Sequence, residues 1–225
     1  MKKYLLYNSL FLSFQGEGPK SGVLSVFLRT TGCNLRCSFC DTLYAVDSNF
    51  SNKWVKETPE IVVKKIKEIK DKASNLVITG GDPLLQRDLI KEIIIESKNE
   101  FDSIEIETNG TLSGRELFPF GLHFNVSPKL SNSGEPYERR INISILKEFA
   151  NYEKSIFKFV VKDSEDFDEI EELRKKIGIP LQKIYIMPLS SEKNEMDSLS
   201  SDIIKYAMKY GYNFSYRLHI ALGIK

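Results

Sequence analysis

The chain has 225 residues, of which 41% are hydrophobic and 28% charged, and its 32 Lys and Arg balance 31 Asp and Glu. This is the composition of a globular domain with one core. It sets up no basic field of the kind that nucleic-acid binding needs. No apolar run approaches the about 20 residues that span a bilayer. The N-terminal MKKYLLYNSLFL has the outline of a signal peptide. Asn8 and Ser9 interrupt it, and no small-x-small cleavage site follows, so a cytoplasmic protein is expected.

A first strand is predicted over 23–31, where β-branched and apolar residues cluster. A Gly- and Cys-bearing loop follows. A helix is predicted over 59–72, with Ile61, Val62, Ile66 and Ile69 on one face. A short buried strand over 76–79 ends in Gly80-Gly81, and a helix follows over 84–98. Strands over 104–107 and 122–126 end in Thr108-Asn109-Gly110 and Ser127-Pro128. Helices over 141–152 and 166–177 flank a strand over 156–161. A strand over 184–187 is capped by Pro188, a helix covers 199–210, and a last strand is predicted over 214–220. Residues 47–53 and 131–136 read as linkers, and there is no internal repeat.

Strand-then-helix repetition implies parallel β/α units joined by right-handed crossovers. About six units fit, which points to a partial, open (β/α)6 barrel in a single domain. Sites in such folds lie on loops that leave the C-terminal ends of the strands. The chemically unusual residues of this chain fall on those loops, so motifs distant in sequence converge on one mouth.

All three cysteines lie within Cys33-Asn-Leu-Arg-Cys37-Ser-Phe-Cys40. An odd, tight set is a poor disulfide framework, and clustered thiols in a reducing compartment more often serve metals or redox chemistry. The C-x3-C-x2-C spacing lets a short loop wrap three thiolates around three irons of a 4Fe-4S cube. The fourth iron is then open to a small chelator such as the amino and carboxylate groups of S-adenosylmethionine (SAM), whose sulfonium would lie against the cluster. Structural zinc is the competing reading. It wants four ligands, and the only histidines, His123 and His219, are distant in sequence.

The cluster loop followed by Gly80-Gly81-Asp82-Pro83 resembles the radical SAM superfamily, in which a Gly-Gly-Glu-Pro loop approaches the SAM amino group. Asp82 stands where that family usually has Glu. Phe14-Gln15-Gly16-Glu17-Gly18, Arg29 within FLRTTGC, Cys40-Asp41-Thr42, Glu107-Thr108-Asn109-Gly110-Thr111, Ser127-Pro128-Lys129 and Arg217-Leu218-His219 together resemble the 7-carboxy-7-deazaguanine synthases. The likeness runs from residue 8 to the C-terminus.

That resemblance implies a radical SAM fold and a carbon–nitrogen lyase. Its members convert 6-carboxy-5,6,7,8-tetrahydropterin to 7-carboxy-7-deazaguanine with loss of ammonia, using the cluster, SAM and Mg2+. It implies a pterin site from Phe14, Gln15, Gly16, Glu17, Arg29, Thr79, His219 and the terminal Lys225. It implies SAM contacts from Phe39, Cys40, Asp41, Gly81, Glu107, Asn109, Ser127, Pro128, Lys129, Met187, Pro188, Leu189 and Ser190. Cys33, Cys37 and Cys40 would hold the cluster, and Thr42 would offer a hard oxygen to magnesium. A homodimer and a flavodoxin- or ferredoxin-type electron donor are implied as well. Met187-Pro188-Leu189-Ser190 departs from a Gln-Pro-Met-Asp pattern common in the family, and no aromatic follows His219. His123 reads as structural. An activating enzyme for glycyl radical proteins shares the cysteine spacing and stays open as an alternative, as does a non-catalytic zinc module.

Overall fold

A computed structural model describes residues 3–190 and 192–224. Its elements run β1 (Leu5–Phe14), β2 (Leu24–Thr30), the short α1 (Leu43–Val46), β3 (Val55–Glu57), α2 (Pro59–Ile69), β4 (Asn75–Gly80), α3 (Arg87–Ser97) and β5 (Ser103–Thr108). They continue with β6 (His123–Val126), α4 (Tyr137–Arg140), α5 (Ile143–Asn151), β7 (Ser155–Val161), α6 (Glu165–Ile177), β8 (Ile184–Pro188), α7 (Lys193–Tyr210), β9 (Asn213–Phe214) and α8 (Leu218–Leu222). Among the described residues the strands form one open sheet in the order β3-β1-β2-β4-β5-β6-β7-β8-β9. Neighbours from β2 onward are parallel, whereas β1 is antiparallel to both β2 and β3.

Several helix ends carry start and stop signals written in the sequence. Thr58 and Pro59 open α2, and Val62, Val63 and Ile66 bury one of its faces. The Asn142 side chain caps α5 by accepting from the Ile145 amide. In α6, Glu165, Asp166 and Asp168 sit in the first turn and Arg174, Lys175 and Lys176 in the last, each sign at the end the helix dipole favours, and Gly178 ends it at φ +85°.

Alternation along the parallel strands sorts the molecule into a core and a site. Leu28, Ile78, Ile106, Phe124, Val126, Phe157, Phe159 and Ile186 face the helices and are fully buried with Ile66, Ile90, Leu146 and Phe167. Each such side chain contributes roughly 1.5–3 kcal/mol of burial. The intervening positions carry Arg29, Thr79, Glu107, Asn125 and Lys158, and these line one cavity on the other side of the sheet.

Several expectations are corrected, among them the helix predicted over 199–210, which starts at Lys193. The strand predicted over 214–220 ends at Phe214, and Leu218–Leu222 forms the helical turn α8. Arg217 and His219 turn inward toward Glu17, and the Leu218 amide donates to the Gly16 carbonyl at 2.9 Å, so the chain cannot stay extended. The segment with a leader-like outline is the ten-residue strand β1, and the first predicted strand is the second one. Of the two linkers, 48–53 and 131–133 form 3-10 turns. No helix among the described residues is long and apolar enough to cross a membrane.

Candidate active site

The cysteine loop leaves the C-terminal end of β2. Its start is pinned by the Gly32 amide donating to the Ala45 carbonyl and the Gly32 carbonyl accepting from the Asp82 amide, both at 2.8 Å. Further on, the Ser38 amide donates to the Ser133 carbonyl at 2.9 Å, the Arg36 amide to Glu135, and Asn34 Nδ2 to Thr111 Oγ1 at 2.7 Å. Leu35, within the loop, is itself buried. The loop is therefore held at its start and along its length, and Cys33, Cys37 and Cys40 are free, half-exposed thiols lining the cavity.

The Gly80-Gly81 turn after β4 packs directly against this loop. A Cβ on Gly81 would lie 1.9 Å from the Gly32 carbonyl oxygen, and Gly80, at φ +134°, would place one 2.1 Å from the Thr30 oxygen. Only glycine lets the two backbones approach this closely. Asp82 is fully buried and ties the turn to the end of β5. Its carboxylate accepts from the Leu84 amide at 3.0 Å and from Thr108 Oγ1 and the Asn109 amide at 2.9 Å each. The shorter acid therefore has three donors of its own, although burial still pushes its carboxyl up.

The donor set suits an iron–sulfur cube. Three soft thiols sit on one anchored loop, the Leu35 amide donates to Cys33 Sγ at 3.4 Å, and Asn109 Nδ2 lies 3.7 Å from the same sulfur. Burial raises the Cys33 and Cys37 thiols, and Lys129 opposes this at both. A cube asks for one thiolate per iron. No three His, Cys, Asp or Glu side chains among the described residues gather as ligands of one metal ion. Thr42 ends the loop with Oγ1 3.7 Å from Cys40 Sγ.

Across the cavity lies a row of polar side chains. Arg29 on β2 is in register with Thr79 on β4, Thr79 Oγ1 donates to Glu107 Oε2 on β5 at 2.6 Å, and Glu107 is in register with Asn125 on β6. Gln15, only 2% exposed, donates from Nε2 to Glu107 Oε1 at 3.3 Å and accepts from the Glu17 amide at 3.2 Å. Among the described residues the Arg29 guanidinium makes no ion pair or hydrogen bond. The Phe11 ring lies 5.9 Å from it.

Glu17 is held by Lys158 on one oxygen, Arg217 Nε at 3.1 Å on the other, and His219 Nε2 at 4.0 Å. Burial would raise its carboxyl, but Lys158 and then Arg217 outweigh that and hold it far below its usual value. Lys158 is raised because Glu17 and Glu107 overcome the effect of burial. His219 is lowered by burial in spite of Glu17, which favours the neutral imidazole. Arg217 also reaches Asp41 and, at 2.8 Å, the Ser190 carbonyl, so it bridges the first, second and last segments of the site.

Of the residues expected from sequence, Phe14, Gln15, Gly16, Glu17, Arg29, Thr79 and His219 line this cavity, as do Phe39, Cys40, Asp41, Thr42, Gly81, Glu107, Asn109, Ser127, Lys129, Met187, Pro188, Leu189 and Ser190. Pro128 shares the Ser127 loop without lining it. Lys225 lies outside the described residues. Within the protein, Glu107 bonds to Gln15 and Thr79, and Asn109 to Asn34, Thr111 and Cys33. Lys158 and Asn125 were not foreseen. Their signal is a polar residue flanked on both sides by apolar ones within a strand, FKF and FNV.

Residues 27–177 match the family model of the radical SAM superfamily. A 7-carboxy-7-deazaguanine synthase of Hyperthermus butylicus is 37% identical over 96% of this chain and 91% of its own length. One of Halobacterium salinarum is 32% identical over 96% and 89%. The crystal structure of QueE from Escherichia coli superposes with a TM-score of 0.74 at 26% identity, covering 96% of this chain and 95% of that one. With cluster loop, glycine turn and polar row on one mouth, the chain belongs to the radical SAM superfamily and, within it, to the 7-carboxy-7-deazaguanine synthases.

Proposed function

We infer that this chain is a carbon–nitrogen lyase that converts 6-carboxy-5,6,7,8-tetrahydropterin to 7-carboxy-7-deazaguanine with loss of ammonia, in the biosynthesis of queuosine-type 7-deazapurines. The observation that carries this reading is the Arg29 guanidinium, which has no ion pair or hydrogen bond among the described residues and is set in one row with Thr79 and Glu107, facing the cavity that the three cysteines also line. A planar fork of N–H donors is the natural partner of a carboxylate. The hydrogen-bonded Gln15, Glu17 and Glu107 beside it match the mixed donors and acceptors of a pterin edge.

Cys33, Cys37 and Cys40 would hold a 4Fe-4S cluster, with SAM along Phe39 to Asp41, Gly81, Ser127 to Lys129 and Met187 to Ser190. With electrons from a donor such as flavodoxin or ferredoxin, the bound cofactors would supply the radical chemistry that abstracts a substrate hydrogen. The chain's own residues bind and orient. Arg29 fixes the substrate carboxylate, Thr42 would offer an oxygen to Mg2+, and Gln15, Glu17, Thr79, Glu107 and neutral His219 hold the ring. Lys158 and Arg217 keep the Glu17 carboxylate in place before substrate arrives. A homodimer and a cytoplasmic location accord with the same family reading, and free cysteines suit a reducing compartment.

The test is anaerobic incubation of the iron-reconstituted protein with the pterin, SAM, Mg2+ and a reductant. Deazapurine absorbance is expected, with loss of signal when magnesium is omitted and in Cys33→Ala, Cys37→Ala and Cys40→Ala. An enzyme acting only on a partner protein's glycine would cleave SAM but yield no deazapurine, and that outcome would overturn the reading.

A further inference from the structure

The polar row does not stop at Glu107. Asn125 stands next in register on β6, is 3% exposed, and lines the same cavity. The direction of its carboxamide is fixed from below. Nδ2 donates to Glu105 Oε2 at 2.8 Å, and a Cβ on Gly18 would lie 3.8 Å from the same nitrogen. Glu105 is fully buried. Its other oxygen accepts from Asn75 Nδ2 and lies 3.8 Å from Lys20 Nζ.

Glu105 accepts from the amide nitrogens of both Asn75 and Asn125, and although burial raises its carboxyl, Lys20 and these two donors oppose that and suit an acceptor-only carboxylate, so the nitrogen of Asn125 is the atom that faces Glu105. The amide oxygen is the atom left over. Among the described residues nothing donates to Asn125 Oδ1, and it is not among the sealed, unpartnered polar atoms of the interior. It is a free acceptor opening on the cavity.

We propose that Asn125 is a specificity residue: its Oδ1, aimed by Glu105, accepts a hydrogen bond from a ring N–H of a reduced pterin and disfavours the oxidised ring. This rests on the pterin reading above. In a tetrahydropterin, N5 and N8 each carry a hydrogen. In the fully oxidised ring both are bare acceptors, and their lone pairs would face the Asn125 oxygen. A buried acceptor that loses its donor discriminates against the ligand lacking that hydrogen. Glu105 is a positioning residue that acts through Asn125.

The experiment measures binding of 6-carboxy-5,6,7,8-tetrahydropterin and of oxidised 6-carboxypterin to the iron- and SAM-loaded enzyme. It is run by anaerobic equilibrium dialysis with Mg2+ and no reductant, so nothing turns over. Wild type is expected to prefer the reduced ring. In Asn125→Ala the preference should fall about tenfold, the value of one hydrogen bond. Glu105→Gln, close in shape, serves if Asn125→Ala does not fold. A glutamine can donate or accept, so the Asn125 amide loses its fixed direction and the preference should fall a fewfold. Equal weakening toward both pterins, or an unchanged ratio in both variants, overturns the assignment. Wild type that fails to convert the tetrahydropterin under reducing conditions defeats the functional reading, whereas conversion with an unchanged ratio defeats only the role of Asn125.

Discussion

Glu17 and Lys158, 141 positions apart in the sequence, meet as a buried ion pair in the cavity wall. The pair joins the loop after β1 to the middle of β7, and Arg217 on the second Glu17 oxygen draws the C-terminal segment onto the same point. Three separate stretches of chain are thus closed around the site by one carboxylate.

Lys158→Met keeps most of the side-chain volume and removes the ammonium. Taking one partner from a buried pair costs roughly 3–5 kcal/mol. Arg217 still serves Glu17, so a loss of about 3 kcal/mol is expected from urea unfolding of matched iron-loaded samples. Adding Glu17→Gln should recover part of that loss, and the double-mutant cycle isolates the coupling. Unchanged stability in Lys158→Met would mean that the pair closes nothing.

Gly81→Ala tests the docking of the glycine turn on the cysteine loop. With a Cβ 1.9 Å from the Gly32 oxygen and 3.1 Å from Cys33 Cβ, backbone must move against backbone. The expected result is lower iron retention after anaerobic reconstitution and gel filtration, together with loss of SAM cleavage. Full iron content with normal cleavage would show that the two loops tolerate separation.

The cysteine loop and the glycine turn were legible because their chemistry is local, with a spacing of a few residues that needs no partner elsewhere. The helices were legible from one-sided burial, as in Val62 and Ile66 of α2. β1 was not. Its residues alternate poorly because Leu10 and Phe11 are each half-covered, and only antiparallel pairing with β2 makes the strand evident. The terminal strand failed for the opposite reason. Phe214 to Ile220 has strand composition, but Arg217 and His219 answer to Glu17, two hundred residues away, and the backbone follows them. Lys158 and Asn125 are each a polar residue between apolar neighbours, and their partners Glu17 and Glu105 appear only once the sheet is ordered.

His123, the first residue of β6, links stability to pH. Burial, and then Lys20 and Lys154, lower its pKa from 6.5 to about 4. Between those values the unfolded chain binds a proton that the folded chain refuses, so more protons are bound in the unfolded state and stability rises with pH across that window. His123→Gln should flatten the rise. Urea midpoints for both proteins from pH 4.5 to 7 check this, because the carboxylate contributions they share cancel in the difference. Parallel curves would place His123 in a more open setting.

Arg29→Ala separates substrate recognition from radical generation. Arg29 faces the cavity from β2, makes no hydrogen bond or ion pair among the described residues, and belongs to the row that includes Thr79 and Glu107. The cysteine loop is held by other residues, through Gly32, Ser38, Arg36 and Asn34, so the truncation leaves its anchors in place. A hydrogen bond to a charged group is worth about 1.5–3 kcal/mol, which predicts a fall of about 10- to 200-fold in kcat/KM for the pterin. Slow SAM cleavage without substrate should persist, measured as 5′-deoxyadenosine release by the reduced protein. The two assays diverge in this variant and fall together in the cysteine variants. Loss of iron or of all SAM cleavage would make Arg29 a support of the cluster loop, and normal pterin turnover would put it outside the substrate pocket.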